Sequence, residues 1–173
     1  MQAGKPNALP WLGLSTAIIV LDWLSKQWAL SVLTFKTPVE VVSGFWNWTL
    51  VHNTGAAFSF LADAGGWQQW LFSGLAVVIS GVCMVMLARS ARGDWRTALP
   101  LALIIGGALG NLIDRIRFGY VIDFVHWYWR DWHWPVFNVA DSAITLAATS
   151  KAGATMTQRS SSRPLIGPNT CQC

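Results

Sequence analysis

The sequence predicts a membrane α-helical protein built as a bundle of four transmembrane helices, and three observations predict it. Of the 173 residues, 53% are hydrophobic and only 12% are charged, roughly half the charge of an ordinary globular domain. Twelve are Trp, a side chain that favours the lipid–water boundary because its ring is apolar while its N–H reaches water. The apolar residues also gather into four runs, at 11–33, 71–88, 98–113 and 136–149. A helix needs about 20 such residues to cross a bilayer core.

The first run is interrupted by Asp22 and Lys26. Three further apolar runs follow it, so it reads as a retained helix rather than a cleaved leader. The second, 71–88, is the cleanest. Helices are expected at about 11–33, 68–88, 97–115 and 136–155, in a single membrane domain 1–157, with a polar, disordered tail at 158–173. The fourth run is short: 136–149 makes about 21 Å of helix at 1.5 Å per residue, against a core of about 30 Å. To span, it has to continue past Lys151, whose ammonium can snorkel to the surface.

Charge sets the orientation. The segment "ARSARGDWRTA" between the second and third runs holds Arg89, Arg92 and Arg96. Lys5 precedes the first run, and Lys151, Arg159 and Arg163 follow the start of the fourth. Cytoplasmic loops carry the excess of Lys and Arg. That loop and both termini are therefore expected in the cytoplasm, and the connections 34–66 and 116–135 outside. The first outer connection, "PVEVVSGFWNWTLVHNTGAAFSF", reads as short strands with turns. The second, "FGYVIDFVHWYWRDWHWP", is densely aromatic and suits a membrane surface.

Several classes of function are disfavoured. The formal charge of +4 is not concentrated with aromatics on a soluble module, so no nucleic acid is expected. Cys83, Cys171 and Cys173 form no disulfide framework. His52, His126 and His133 lack metal-site spacing, so neither metal nor cofactor is expected. No Ser lies in a G-x-S-x-G frame, and no Walker or dinucleotide glycine pattern occurs.

The informative residues are polar ones in apolar sequence, where ionisable groups cost several kcal/mol. Asp22 and Lys26 share a helix face, either as an ion pair that packs the bundle or as a contact to a polar substrate backbone. In "GGALGNLIDR", Gly106 and Gly110 form a small-xxx-small pair. Asn111, Asp114 and Arg115 fall on one face near the outer boundary, as bundle glue or as part of a site. Asn53 sits in the turn-like "HNTGAAFS". Asp123, in "GYVIDFVHW", and Asp141, in "FNVADSAIT", are far apart in sequence, but the topology brings both to the outer side. Either each finds its own partner, or they form a dyad. Two close carboxyls share a proton, so one can accept a proton from water while the other polarises a carbonyl. Asn138 precedes Asp141 by three residues on the same helix face, which suggests an orienting group. The alternative is a non-catalytic transporter or channel subunit with an acid relay. That needs acids through the membrane thickness, whereas here most gather outward, Asp22 excepted.

Four motifs together resemble the bacterial lipoprotein signal peptidase (signal peptidase II) family: "LDWLSK" (21–26), "VHNTGAAFS" (51–59), "GGALGNLIDRIRFGYVIDFVHW" (106–127) and "FNVADSAIT" (137–145). The resemblance covers about residues 10–148. It implies an aspartyl endopeptidase of the bacterial inner membrane with four transmembrane helices, a small periplasmic β-cradle and a short surface helix. The cradle would fall on 38–60 and the surface helix on "DAGGWQQW". The implied substrates are diacylglyceryl-modified prolipoproteins, cut on the N-terminal side of the lipidated Cys. Asp123 and Asp141 are then the catalytic pair. Asn53, Asn111, Asp114, Arg115 and Asn138 line or support the site, with Asp22 and Lys26 as the polar pair of helix one. Membrane lipid is a further partner, a globomycin-type inhibitor is expected to bind, and the protein is expected to be a monomer. A presenilin-like site fits worse, because that family carries G-x-G-D and Asp123 follows Tyr120, Val121 and Ile122. One departure stands out: after "ADSAI" the chain turns into "TLAATSKAGATMTQRSSS", where the family continues with aliphatic residues.

Overall fold

A computed structural model describes residues 7–55 and 66–161, with side chains as far as 150. Among these residues there are four long helices, α1 (Leu12–Val32), α2 (Trp67–Arg89), α3 (Trp95–Phe118) and α4 (Val139–Ser161). Four antiparallel strands form one sheet in the order β1 (Val39–Val42), β2 (Trp46–Asn53), β3 (Val121–Trp129) and β4 (Trp132–His133). A 3₁₀ turn, Leu9–Trp11, leads into α1.

The third helix is the axle of the bundle and packs against α1, α2 and α4. Small residues on it make this possible. A Cβ on Gly106 would lie 2.9 Å from Ile18 Cβ of α1, and one on Gly107 would lie 2.5 Å from the Ala140 carbonyl of α4. A Cβ on Gly110 would meet both neighbours, Asp22 Oδ2 at 2.9 Å and Ala140 Cβ at 3.3 Å. Ser15 Oγ adds an interhelical hydrogen bond to the Ala102 carbonyl at 2.8 Å, of the kind that joins helices in lipid. Asp94 caps the start of α3 by accepting from Thr97 N. Gly119, at φ +80°, ends it.

By length and composition, α2 and α3 are apolar enough to cross a membrane, with mean hydropathy 2.4 and 1.5. The apolar side chains of α2, such as Val77, Val78 and Val82, face outward, as they should in lipid rather than water. In α1 and α4 the polar residues, Asp22, Lys26 and Asp141 among them, dilute the apolar run.

The sheet closes one end of the bundle. Leu50, Ile122 and Phe124 pack with Ala29 and Leu33 at the end of α1, and Trp28 meets Trp48 edge-on at 5.2 Å. The pairing of β2 with β3 sets Val51 opposite Asp123 and Asn53 opposite Val121.

Several boundaries differ from the sequence reading, among them the end of α3, at Phe118 rather than 115. Helix α4 starts at Val139 rather than 136, because Phe137 is held in a bridge to Val125. It also runs on through Ser161, so 158–161 continue the helix instead of belonging to a disordered tail; no Pro interrupts it before 164. Its 23 residues make about 34 Å of helix, longer than the apolar run alone. Finally, residues 67–70 of the expected surface helix form the first turn of α2, since nothing breaks the helix between "WQQW" and "LFSG". The rest of that stretch, 63–65, and the remainder of the expected tail lie outside the described residues.

Candidate active site

Asp123 lies on β3 in a run, 121–124, that is buried on both faces, and it is 1% exposed. Antiparallel register puts Asn53 diagonally across from it, close enough for side chains to touch. Asn53 Nδ2 donates to Asp123 Oδ2 at 2.9 Å. Asn53 is itself held by Gly55 N, which donates to its Oδ1 at 2.9 Å. Gly55 has φ +101°, and a Cβ there would meet the Phe72 ring at 2.5 Å. Glycine is needed at that turn on both counts.

Asp141 is placed by a different device. Asn138 is the N-cap of α4: its Oδ1 accepts from Asp141 N at 2.9 Å, while Asp141 Oδ2 accepts from Asn138 N at 3.3 Å. This is a reciprocal capping box, with Asp at the third position. It explains how a carboxylate is tolerated in an apolar helix: it sits in the first turn, where free N–H groups and the helix dipole favour negative charge. Asn138 therefore precedes the helix rather than sharing a face of it with Asp141. Asp141 Oδ1 accepts from Asn111 Nδ2 at 2.7 Å.

One side chain joins the two carboxylates. Asn138 Nδ2 donates to Asp123 Oδ1 at 2.7 Å, to Asn111 Oδ1 at 3.0 Å and to the Ile122 carbonyl at 3.3 Å. Asn138 is completely buried. Burial, then the neighbouring charge of Asp141, pushes the Asp123 carboxyl up to about 7.

Beneath the pair lies a buried ionic hub. Lys26 Nζ contacts Asp22 Oδ2 at 2.6 Å, Asp114 Oδ2 at 2.8 Å and Asn111 Oδ1 at 3.1 Å. Each of these partners continues to the site. Asp22 Oδ1 accepts from Ala140 N at 2.9 Å, next to Asp141. Asp114 Oδ2 accepts from Ile122 N at 3.1 Å, next to Asp123. Asn111 holds Asp141 directly. An ammonium this deep is tolerable only because three oxygens replace its water. Arg115 is half-buried, its guanidinium 5.4 Å from the centre of the Phe72 ring and within the field of Asp141, Asp123 and Asp114.

All nine residues singled out in the sequence thus come together at the sheet end of the bundle. Asp22, which looked too deep to belong, reaches the first turn of α4. Sequence reasoning did not find Gly107, Phe72, or the backbone N–H groups of Ile122 and Ala140. Only the N-x-x-D spacing at 138–141 carried a local signal, that of a capping box. The Ser142 hydroxyl donates to the Asn138 carbonyl at 2.9 Å.

Fold and site define a membrane protein whose helix bundle carries paired, hydrogen-bonded carboxylates under a small antiparallel sheet. The family described as "Signal peptidase (SPase) II" matches residues 14–155. Lipoprotein signal peptidases of Xanthomonas campestris and Xanthomonas euvesicatoria are 59% identical over 143 residues, 83% of this chain and 86% and 83% of theirs. One from Xylella fastidiosa is 58% identical over the same length. A solved bacterial membrane enzyme superposes with a TM-score of 0.76 at 24% identity, covering 90% of this chain and 98% of its own; at that identity the likeness speaks for the fold alone. The chain belongs to the signal peptidase II family, whose members are aspartic-type peptidases, and it is a membrane hydrolase.

Proposed function

We propose that this enzyme removes signal peptides from diacylglyceryl-modified prolipoproteins, cutting on the N-terminal side of the lipidated Cys, with Asp123 and Asp141 as the catalytic pair. The observation that carries the mechanism is Asn138, which touches both carboxylates and so holds them at one place. The pair shares a proton, favoured by burial and mutual repulsion. The ionised member takes a proton from water as the water attacks the scissile carbonyl. The protonated member hydrogen-bonds the carbonyl oxygen and then returns a proton to the leaving amine. Asn53, Asn111 and Asn138 orient the carboxylates. Lys26, with Asp22 and Asp114, fixes the backbone beside each of them, and Arg115 contributes positive charge at the rim.

All four helices cross the bacterial inner membrane in this reading, with both termini cytoplasmic and the pair toward the periplasm. The arginines at 89, 92 and 96 lie at the α2–α3 turn, at the end of the bundle opposite the sheet, which supports that orientation. A substrate anchored by its lipid presents its scissile bond near the outer interface, at the depth of the sheet. The enzyme works as a monomer, and a globomycin-type cyclic peptide occupies the same site.

The test is cleavage of a diacylated prolipoprotein in detergent by Asp123→Asn and Asp141→Asn. Each is expected to lose cleavage while remaining folded by circular dichroism. Near-normal cleavage by either variant removes it from the dyad. Solute uptake by proteoliposomes without peptidase activity would favour an ion or proton relay instead.

A further inference from the structure

The hairpin of β3 and β4 brings together two histidines that the sequence keeps seven residues apart. Tyr128 pairs with His133 across the ladder. His126, two residues before Tyr128 on the same face, is therefore the diagonal neighbour of His133, within reach of a long side chain. His126 Nε2 and His133 Nδ1 stand 3.2 Å apart. Tyr128 stacks on the His133 ring and is itself held, since its Oη accepts from Gly44 N at 3.1 Å. Asp123 lies three residues back along β3, so alternation turns it to the other face. The histidine pair is thus separate from the paired carboxylates.

Two atoms beside the pair have no hydrogen-bond partner among the described residues. They are His126 Nδ1 and Asn47 Oδ1, and both are buried. Asn47 stands directly opposite His126 on β2, so the two side chains share a face. Buried polar atoms are ordinarily paired, and two orphans side by side call for a reason. Burial, and then the nearby His133, hold the His126 imidazole below its ordinary pKa, which leaves it neutral with a free lone pair near neutral pH.

We propose that His126 and His133 bind one divalent transition-metal ion of the Zn²⁺ type, with Asn47 orienting His126. Two nitrogens on a tetrahedral Zn²⁺ stand about 3.3 Å apart, close to the separation these two already have. Only the ring torsions have to turn for the lone pairs to converge. Each neutral ring keeps its one proton, on the nitrogen facing away from the ion. For His126 that nitrogen is Nδ1, whose N–H then donates to Asn47 Oδ1. One hydrogen bond satisfies both orphans, in the way that a second partner orients a metal-bound imidazole. Among the described residues no third His, Cys, Asp or Glu completes the set, so water takes the remaining positions and the ion exchanges readily. Imidazole selects Zn²⁺, Cu²⁺ or Ni²⁺ over Mg²⁺ and Ca²⁺. The bound ion clips the two-residue strand β4 to β3. None of this depends on the catalytic reading above.

The experiment titrates the untagged full-length protein in detergent with ZnCl₂ by calorimetry, and with MgCl₂ for comparison. Every protein tested carries Cys171→Ser and Cys173→Ser, because thiolates compete for Zn²⁺. One Zn²⁺ per chain should bind, and Mg²⁺ should not. His133 is exposed on the edge strand, so His133→Gln leaves the fold intact. It should weaken Zn²⁺ binding at least tenfold, as should His126→Gln. Asn47→Ala should weaken it roughly tenfold with one site retained. His52→Gln, at the third histidine of the chain, should leave the affinity as it was. As a second measurement, Trp134 N donates to the Trp127 carbonyl across the hairpin. Its hydrogen exchange should slow on adding Zn²⁺, and should not in His133→Gln. Absence of saturable Zn²⁺ binding, undiminished affinity in His133→Gln, or an equal loss in His52→Gln overturns the site. Unchanged affinity in Asn47→Ala overturns the role given to Asn47.

Discussion

Asn138 does two things at once: its one amide caps a helix and joins the two carboxylates. Asn138→Ser separates these roles. Serine caps about as well as asparagine, but it has no Nδ2 to reach Asp123 Oδ1 at 2.7 Å and Asn111 Oδ1 at 3.0 Å. A hydrogen bond to a charged group contributes about 1.5–3 kcal/mol. If that bond holds Asp123 in its reactive position, cleavage should fall roughly 10- to 150-fold. Asn138→Ala also loses the cap, a further 0.5–2 kcal/mol or so, for a total stability loss of about 2–5 kcal/mol. Cleavage of lipidated substrate and thermal unfolding in the same detergent measure both quantities. The expected order of stability is wild type, then Ser, then Ala, with the two variants similarly impaired in cleavage. A Ser variant within twofold of wild-type activity would refute the claim that Asn138 joins the pair functionally.

Three more outcomes are expected. Burial and Asp141 push the Asp123 carboxyl up to about 7, and the pair needs one proton to work. Cleavage should therefore fall about tenfold per unit above that pH, and fall again on the acid side once both carboxyls are protonated; a rate that climbs steadily from pH 7 to 9 contradicts the shared proton. Lys26→Met strands Asp22 and Asp114 without their cation and should cost about 3–5 kcal/mol, read as a lowered Tm with loss of cleavage. Gly107→Ala drives a methyl toward the Ala140 carbonyl at 2.5 Å, where only backbone can yield. It should displace the first turn of α4 and lower both stability and activity, whereas Gly81→Ala, in open space, should do neither.

The sequence by itself determined the membrane class, the helices and the roster of polar residues. The physical reason is that solvent acts locally. A run of apolar residues declares its preference for lipid, and a charge inside such a run stands out because burying it is costly. The segment 38–60 likewise read as strands from its own composition, and it holds β1 and β2, with 56–60 outside the described residues; the Asn-x-x-Asp spacing at 138–141 held the capping box in plain sight. The tertiary structure decided what no local pattern encodes. That Asn53 meets Asp123 depends on the register of β2 against β3, which is fixed by pairing across the whole intervening helix pair. That Asp22 belongs to the site depends on α1 approaching α4, which the glycines of α3 permit at 106, 107 and 110. That one Lys ties together both halves of the site depends on α3 bringing Asn111 and Asp114 to its ammonium, beside Asp22 of its own helix. Carboxylates advertise themselves in an apolar sequence, but their partners are chosen by packing, and packing is a property of the assembled bundle.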